Sequence, residues 1–226
     1  MTLHVAGLSA RRAGRVILHP TDLTIEAGER IALVGPSGSG KSTLGHALAD
    51  RLGRDGTVSH VPQSPDEAVD PLRTLRFHWA EAERALGRCA DPERRSELFD
   101  ALGLAGSDLA ARPWGWSRGM QQRFVIAMGL IGAPKLLILD EPTSALDPVI
   151  AAATMERVGR HLAESGTAML LITHDLGLAA RWVDRVWVLE EGRIVEDART
   201  DDLLERPVSA AARALVAHRS WAVLPC

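Results

Sequence analysis

Short apolar runs alternate with stretches of helical periodicity along the whole chain. Three runs are almost continuously apolar, which is typical of strands buried on both faces of a parallel sheet: RIALVG (30–35), KLLILDE (135–141) and AMLLITH (168–174). TVSHVPQ (57–63) predicts a further strand. Apolar residues spaced by about 3.6 predict helices over the longer segments, which are residues 42–52, 66–112, 117–132 and 148–164. Gly87 to Pro92 is expected to break 66–112 into two helices. This alternation predicts an α/β protein built on a parallel sheet, with a helical insertion at 64–116.

The two ends of the chain follow a different pattern. LHVAGL (3–8) and DLTIEAG (22–28) predict edge strands separated by a turn. RVWVLEEGRIVED (185–197) alternates between apolar and polar residues around Glu191-Gly192, which predicts a hairpin. Residues 199–226 predict a helical tail that Pro207 interrupts.

The composition narrows the classes of function. With 226 residues, 46% of them hydrophobic and 24% charged, the chain suits a globular protein with a sizeable core. Its net charge of −3 argues against general nucleic-acid binding, so we expect no nucleic-acid partner. Cys89 and Cys226 lie far apart and predict neither a metal site nor a disulfide framework. The longest apolar run, Phe124–Ala133, is about half as long as a bilayer span and no signal peptide is recognised, so we expect any role at a membrane to be exercised from outside the lipid.

The segment GPSGSGKS (35–42) fits the phosphate-binding pattern G-x-x-x-x-G-K-[ST] between a buried strand and a helix. Glycines let backbone N–H groups turn inward toward phosphate oxygens, and the following helix adds a favourable dipole. Lys41 supplies a charge for the β- and γ-phosphates, and the Ser42 hydroxyl is a ligand for Mg²⁺. The alternative is a flexible Gly/Ser turn, which the order of strand, loop, Lys-Ser and helix disfavours. We therefore assign nucleotide binding to the whole loop, which comprises Gly35, Pro36, Ser37, Gly38, Ser39, Gly40, Lys41, Ser42 and Thr43.

An acidic pair ends the apolar run LLILDE. The preceding apolar residues bury the strand, so we expect Asp140 at its carboxyl end, where α/β sheets bind ligands. There Asp140 would hold Mg²⁺, and Glu141 would orient or deprotonate an attacking water. The alternative is that two acids simply end a strand in solvent.

Together these residues resemble the ATPase subunit of ABC transporters, and the match covers nearly the whole chain. Gly35–Ser42 is similar to the Walker A loop and Leu136–Glu141 to Walker B. Further along the family pattern, Gln63 matches the Q-loop glutamine, Ser144–Asp147 the D-loop and His174 the switch histidine.

The resemblance implies an α/β P-loop NTPase fold, with a RecA-like parallel sheet, an ABC-type helical subdomain and a small antiparallel β region. It implies a single ABC ATPase domain over residues 1–226. The RecA-like core is expected at about 1–63 and 133–198, the helical subdomain at about 64–132, and a C-terminal helical tail at about 199–226.

The stretch WGWSRGMQQR (114–123) occupies the place of the family's LSGGQ signature. Ser117, Gly119 and Gln122-Arg123 are kept, and three positions differ: Trp116 for Leu, Arg118 for the first Gly and Met120 for Gln. The resemblance implies that Ser117 and Gly119 contact ATP held by a second ATPase subunit. The alternative is an ordinary helix start capped by a serine.

The first strands depart from the family in one respect. The family usually stacks adenine on an aromatic residue there, whereas this chain reads SARRAGR (9–15). An arginine plane also stacks on a base, and Arg12 is our candidate for that contact. The short interval from Lys41 to Gln63 predicts that the antiparallel β region is trimmed.

The resemblance also implies the remaining roles, with ATP and Mg²⁺ as cofactors. Glu141, His174 and Gln63 are the expected catalytic residues, since His174 contacts the γ-phosphate and Gln63 lies near the metal and the water. Ser42, Gln63 and Asp140 form the expected metal site, and the D-loop residue Asp147 joins the nucleotide contacts. The alternative for His174 is a core histidine at the end of a strand.

Two stretches resemble the oligopeptide, dipeptide and nickel importers within this family: VPQSPDEAVDPLRT (61–74) and DLLERPVSAAARALVAH (202–218). The resemblance implies a subunit that couples ATP hydrolysis to import of a small solute, such as a peptide, nickel or a metal chelate. It implies three kinds of partner: a second ABC ATPase subunit arranged head to tail, transmembrane permease subunits, and an extracytoplasmic solute-binding protein. The expected location is peripheral, on the cytoplasmic face of the inner membrane. Two alternatives stay open: a soluble ABC-type ATPase with a non-membrane target, and a slowly hydrolysing regulatory partner in a hetero-pair.

Overall fold

The computed structural model describes residues 2–53, 57–144 and 146–218. Its strands, in chain order, are β1 (Leu3–Arg12), β2 (Arg15–Ile25), β3 (Arg30–Val34), β4 (Val58–Val61), β5 (Leu136–Asp140), β6 (Ala168–Ile172), β7 (Arg185–Glu190) and β8 (Arg193–Arg199). Its helices are α1 (Lys41–Leu52), α2 (Leu75–Ala85), α3 (Pro92–Ala101), α4 (Arg118–Leu130), α5 (Pro148–Ser165), α6 (Leu176–Ala179), α7 (Thr200–Glu205) and α8 (Ala210–Ala217). Pro65–Glu67 and Pro113–Gly115 form 3₁₀ turns. None of these helices is long and apolar enough to cross a membrane.

The chain divides into two compact units. The first comprises Met1–Leu52 and Ala168–Cys226, and the second comprises Gly53–Thr167. The predicted helical segment 64–132 lies in the second unit, together with β4, β5 and α5. The subdomain boundaries inferred from the sequence stay a prediction.

In the first unit, β3 lies between β6 and β7. It pairs in parallel with both, with Leu33 opposite Ile172 on one side and Trp187 on the other, and β8 pairs antiparallel with β7. The inner residues of these parallel strands are buried, as predicted for strands covered on both faces. The predicted hairpin is confirmed, because Glu191 and Gly192 form its two-residue turn with φ of 46° and 72°.

β1 and β2 form a separate antiparallel ribbon, which corresponds to the small antiparallel region predicted from the sequence. Ala13 and Gly14 turn between the strands with φ of 48° and 79°. α1 packs against both strands and buries Leu44 and Leu48. The ribbon therefore flanks the helix that follows the glycine-rich loop.

In the second unit, β4 and β5 pair in parallel, with Val61 opposite Leu139. α4 packs against β4, α3 and α5. Gly129 of α4 lies so close to β4 that a Cβ there would sit 3.0 Å from the Ser59 Oγ. The absence of a side chain at residue 129 thus allows the helix to approach the strand closely.

The predicted break between Gly87 and Pro92 separates α2 from α3. Pro92 is the first residue of α3, where its missing N–H has no cost. The Asp91 carboxylate accepts a hydrogen bond from the Arg94 N–H at 2.9 Å and caps the helix.

The C-terminal part of the first unit consists of α7 and α8, which flank the predicted break at Pro207. Glu196 of β8 accepts hydrogen bonds from the backbone N–H groups of Val208, at 3.0 Å, and Ser209, at 2.7 Å. α8 packs against β7 and α6. Residues 219–226 of the predicted tail lie outside the described residues.

Candidate nucleotide-binding site

The glycine-rich loop connects β3 to α1 in the first unit. β3 ends at Val34 and α1 begins at Lys41, so strand, loop and helix follow in the predicted order. Gly38 and Gly40 have φ of 79° and 104°, which residues with a Cβ rarely adopt. The backbone thereby turns directly into the N-terminus of α1, where N–H groups without helical partners attract anions.

The hairpin β7–β8 and strand β2 support this loop. The Gly192 N–H donates a hydrogen bond to the Ser39 carbonyl at 3.0 Å. A Cβ at Gly35 would collide with the Leu189 carbonyl, and a Cβ at Gly192 would collide with the Ile17 carbonyl. This support was not predictable from the sequence, because its only local signal is a glycine in a hairpin turn.

The side chains of the loop form a donor set that fits phosphate. The Lys41 ammonium folds back and donates to the carbonyls of Gly35, at 2.9 Å, and Pro36, at 3.0 Å. The Ser39 hydroxyl is buried and has no hydrogen-bond partner among the described residues. Ser42 is exposed in the first turn of α1, where its hydroxyl suits a metal ligand. A cation, a buried hydroxyl and a row of amides together match the oxygens of a phosphate chain.

His174 lies at the same edge of the sheet as the loop. It is separated from the end of β6 by Thr173, whose N–H donates to the Leu33 carbonyl at 3.1 Å and keeps the two strand ends together. The side chain of His174 is exposed, so the alternative of a core histidine is wrong. A cavity of about 340 Å³ opens beside it, with walls that include Pro36 of the loop, Asp175 and residues of α8.

Arg12 lies at the end of β1, beside the turn at Ala13-Gly14. Its side chain is exposed, and its Cα is paired with that of Arg15 across the turn. Arg12 therefore belongs to the ribbon that flanks α1. Its stacking on adenine stays a prediction.

Asp140 and Glu141 lie at the carboxyl end of β5 in the second unit. Asp140 is only 4% exposed, and carboxylates are rarely so buried unless they are paired or bind a metal. The alternative in which both acids end a strand in solvent is therefore wrong for Asp140. Glu141 is partly exposed and has a φ of 45°. That left-handed conformation costs a residue with a Cβ about 1–2 kcal/mol, and strain of this kind is typical of functional sites.

Gln63 lies at the same edge of the second unit as the acidic pair. β4 ends at Val61, which is opposite Leu139 of β5, so Gln63 and Asp140-Glu141 follow neighbouring strand ends. The side chain of Gln63 is exposed. Its position fits the predicted role near a metal and a water, which stays a prediction.

Ser117 and Gly119 lie at the start of α4. Ser117 is the N-cap, and its hydroxyl accepts a hydrogen bond from the Met120 N–H at 3.3 Å. A Cβ at Gly119 would sit 2.9 Å from the Ile150 Cγ2 at the start of α5. Ser117 is exposed and Gly119 is buried. The serine-capped start is therefore present, and contact with a nucleotide of a second subunit stays a prediction.

Trp116, which stands where the family has Leu, belongs to the core of the helices in the second unit. Its ring packs edge-on against Phe124, with 5.6 Å between the centroids, and Phe124 also contacts Trp79 and Phe99. The Trp116 Nε1 donates to the Asp108 carbonyl at 3.2 Å. The larger side chain is thus accommodated within an aromatic cluster.

Asp147 is the N-cap of α5. Its carboxylate accepts hydrogen bonds from the N–H groups of Val149, at 3.1 Å, and Ile150, at 3.0 Å. Ala145, within the predicted D-loop, lies outside the described residues. The carboxylate of Asp147 therefore has a structural role, and its predicted nucleotide contact stays a prediction.

Comparison with known proteins agrees with this geometry. Residues 18–144 match the family described as ABC transporter. The nickel import ATP-binding protein NikD of Pseudomonas putida is 34% identical, over 96% of this chain and 95% of its own length. The protein of the same name from Rhodospirillum rubrum is 36% identical, over 95% of this chain and 94% of its own length.

Solved structures show the same fold. An ATP-binding subunit of an ABC transporter superposes with a TM-score of 0.77 at 26% identity, over 95% of this chain and 97% of that chain. CbiO1 of Clostridium perfringens, part of the ABC transporter complex cbiONQ, has a TM-score of 0.75 at 24% identity, over 90% of each chain. The predicted α/β P-loop NTPase fold and the family resemblance are confirmed. The chain therefore belongs to the ABC transporter family, as one of its ATP-binding subunits.

Proposed function

We propose that this chain hydrolyses Mg²⁺-bound ATP to drive import of a small solute through partner membrane subunits. The observation that carries the proposal is the loop Gly35–Ser42, in which glycines with positive φ bring amides, an ammonium and a hydroxyl to one helix start. Membership of the ABC family supports ATP hydrolysis. Relatives named as nickel import proteins favour import over a soluble target.

Binding of the nucleotide rests on charge and on backbone donors. The amides of the loop and the Lys41 ammonium bind the phosphate chain, and Arg12 is the candidate for stacking on adenine. Ser42 and the buried Asp140 would hold Mg²⁺, which would supply charge neutralisation for the phosphates. Lys41 exchanges its contacts with the Gly35 and Pro36 carbonyls for contacts with phosphate oxygens.

Hydrolysis requires that a water be held in line with the γ-phosphate. Catalysis of phosphoryl transfer consists mainly of positioning and charge neutralisation. Glu141 orients the water and accepts its proton, Gln63 would lie near the water and the metal, and His174 contacts the γ-phosphate. The strained backbone of Glu141 supports a functional role for its side chain.

A second ATPase subunit completes each nucleotide site. Ser117 and Gly119 at the start of α4, together with Asp147 at the start of α5, face the nucleotide held by that subunit in a head-to-tail pair. ATP stabilises the closed pair because it contacts both subunits there, and closure drives the transport step.

The second unit also offers an apolar surface for the membrane subunits. Leu72 and Trp114 are 77% and 71% exposed, and the side chain of Phe77 is exposed as well. The Arg112 Nε donates to the Leu72 carbonyl at 3.3 Å, which brings the segments that carry Leu72 and Trp114 together. A cytoplasmic helix of the permease docks on this surface, which we name the docking surface (Leu72, Phe77 and Trp114). The chain is then peripheral on the cytoplasmic face of the inner membrane, and an extracytoplasmic binding protein delivers the solute.

The proposed cargo class is nickel, a metal chelate or a peptide. We expect expression of the complete transporter to restore accumulation of nickel in cells that lack their own nickel uptake. Accumulation of labelled peptide without nickel would assign the peptide cargo, and transport of neither would leave the import proposal without support.

Titration calorimetry with ATP tests the function directly. We expect binding that requires Mg²⁺, that Lys41→Ala abolishes, and that Glu141→Gln retains although this variant no longer hydrolyses ATP. Arg160→Ala, on the exposed face of α5, serves as a control that leaves both properties unchanged. A wild-type chain without Mg²⁺-dependent affinity for ATP would falsify the proposal, and normal hydrolysis by Glu141→Gln would overturn the role of Glu141.

A further inference from the structure

Arg118 departs from the family signature, and its side chain has a partner on the same chain. The guanidinium donates two parallel hydrogen bonds to the Asp66 carboxylate, from Nη1 to Oδ1 and from Nη2 to Oδ2, each at 2.8 Å. Nη2 also donates to the Ser64 Oγ at 2.9 Å. Forked pairing of this kind fixes the orientation of the partners as well as their distance. We name Arg118, Asp66 and Ser64 the clasp.

The clasp joins two segments to which the proposed function assigns roles in hydrolysis. Ser64 directly follows Gln63, and Asp66 lies in the 3₁₀ turn after it. Arg118 directly follows Ser117 and is the first residue of α4. α4 also packs against that 3₁₀ turn. The Arg118 guanidinium thus links the start of α4 to the segment that follows Gln63.

The electrostatics of the clasp favour a geometric role. A cation in the first turn of a helix is unfavourable, because the helix N-terminus carries a partial positive charge. Asp66 offsets this, and the hydrogen bonds from Arg118 lower the pKa of its carboxyl group below the usual range. The side chains of Arg118 and Asp66 are 38% and 67% exposed, so the pair contributes little to global stability. Its main effect is therefore to hold two segments in one arrangement.

We propose that Arg118 is a positioning residue, which acts through Asp66 to make the Gln63 segment and the start of α4 move together. The inference rests on the proposed function, in which Gln63 serves the chain's own nucleotide and Ser117 serves the nucleotide of the second subunit. The clasp then couples the two nucleotide sites of the pair. A glycine at position 118, as in the family signature, has no side chain with which to form this link.

The competing role for Arg118 is direct attraction to the ATP of the second subunit. The bidentate contact with Asp66 already uses the forked face of the guanidinium, which favours the clasp. The two roles differ in one testable respect, because only the clasp requires Asp66.

The experiment compares Arg118→Ala, Asp66→Asn, the double variant, and the exchange Arg118→Asp/Asp66→Arg. Each full-length variant is assayed in the assembly that hydrolyses ATP, and the affinity of the isolated chain for ATP is measured by calorimetry. We expect kcat to fall about fivefold in each single variant, which corresponds to about 1 kcal/mol, with KM changed by less than about twofold. The double variant is expected to be no slower than either single variant, and the exchange to recover most of the activity.

A matched control removes an exposed ion pair elsewhere in the same unit. Arg160→Ala breaks the pair with Glu156, whose atoms lie 3.0 Å apart on α5, and is expected to retain wild-type kcat. Wild-type kcat in Asp66→Asn, or losses that add in the double variant, would overturn the clasp. A loss confined to Arg118→Ala would overturn it too, and would assign Arg118 to the nucleotide of the second subunit.

The proposal and the function on which it rests fail in different ways. If the wild-type chain neither binds nor hydrolyses ATP, the proposed function is wrong. If it does both and the clasp variants match it, only the clasp is wrong. Thermal unfolding is measured first for each variant. Because Asp66 is exposed, Asp66→Asn is expected to fold. If Arg118→Ala does not fold, the kcat of Asp66→Asn alone tests the clasp.

Discussion

Glu141 combines a strained backbone with the position proposed for the chemistry. Its φ of 45° lies in the left-handed region, and it directly follows the buried Asp140. A residue with a Cβ persists in that conformation only where the surrounding structure imposes it. At this position we therefore expect stability and activity to favour different residues.

Substitution of Glu141 by two small residues tests this conflict. We expect Glu141→Gly to be more stable than Glu141→Ala by about 1 kcal/mol, because only glycine adopts positive φ without steric cost. Both variants are expected to lack ATPase activity. Urea unfolding of the two purified variants measures the difference, and equal or greater stability of Glu141→Ala would contradict the inferred strain.

Individual residues differed in how far the sequence predicted them. The loop residues and Glu141 were assigned from short contiguous patterns, because the groups that bind phosphate come from residues close together in the sequence. The partner of Arg118 was not predicted, since Asp66 is separated from it by 52 positions and local pattern says nothing about such a pair. Trp116 departs visibly from the family signature, but its place in an aromatic cluster depends on rings from α2, α3 and α4.

At the scale of elements, the hairpin β7–β8 helps to set the shape of the glycine-rich loop. In the turn of the hairpin, the Gly192 N–H donates a hydrogen bond to the Ser39 carbonyl. In β7, the Leu189 carbonyl lies directly against Gly35. The phosphate loop is therefore held by strand backbone as well as by its own glycines.

A side chain at residue 192 is expected to disturb the loop. We expect Gly192→Ala to lower the free energy of unfolding by about 2 kcal/mol and to weaken ATP binding, because its Cβ would collide with the Ile17 carbonyl. Gly166→Ala is the matched control, since Gly166 has a φ of 67° but no atom within 4 Å of its Cβ position. We expect this control to lose about 1 kcal/mol and to keep its ATP affinity. Calorimetry of both variants decides, and equal ATP affinities would contradict the supporting role of the turn.

The attachment of α8 is expected to depend on pH through Glu196. Burial disfavours the charged carboxylate, but hydrogen bonds from the Val208 and Ser209 N–H groups outweigh this effect and lower the pKa of Glu196. A carboxyl whose pKa is lowered by folding stabilises the fold above its unfolded pKa of about 4.3, and this contribution disappears as the pH falls through the folded pKa.

Melting temperatures of wild type and Glu196→Gln measure this contribution. At neutral pH we expect the variant to be less stable by about 1 kcal/mol, a value limited by partial exposure of the carboxylate. The difference is expected to narrow below about pH 4.3. A difference that stays constant from pH 7 to pH 3 would show that Glu196 does not hold α8 through its charge.

Elements were predicted well where their hydrophobic pattern was distinctive. The buried strands β3, β5 and β6, the helix α4 and the hairpin β7–β8 all follow the sequence prediction, because burial on both faces or strict alternation leaves a clear pattern. Residues 66–112 were predicted as helical almost throughout, whereas the helices are Leu75–Ala85 and Pro92–Ala101. The connecting segments there are fixed by tertiary contacts, such as the hydrogen bond from the Leu75 N–H to the Ala111 carbonyl at 2.9 Å.

At the scale of the whole molecule, the docking surface offers a test of membrane attachment. We expect Leu72→Glu and Trp114→Glu to reduce co-sedimentation with membranes that contain the permease, because a charge on an apolar contact must be desolvated. ATP binding by the isolated chain is expected to be unchanged. Leu86→Glu, at the other end of α2 and also exposed, is the control and is expected to sediment as wild type. Undiminished attachment of both docking variants would show that the permease binds elsewhere.

The family of the molecule was the most predictable property, because several short motifs had to occur in one order. The cargo was the least predictable, because all of the assigned motifs are expected to serve the nucleotide, and none is expected to contact the solute. Relatives named for nickel import narrow the hypothesis, and transport measurements are needed to assign the cargo.

The close approach of Gly119 to Ile150 has an evolutionary consequence. Glycine at a signature motif is usually explained by its ligand, yet here the side chain of a neighbouring helix already excludes a Cβ before any ligand arrives. Residue 119 is therefore under two constraints, which are the proposed contact with nucleotide and the packing against Ile150. A substitution at residue 150 changes only the second constraint. Among descendants of this sequence, alanine at 119 is expected to arise mainly after residue 150 has become smaller, so the two positions should covary even in lineages that have lost transport.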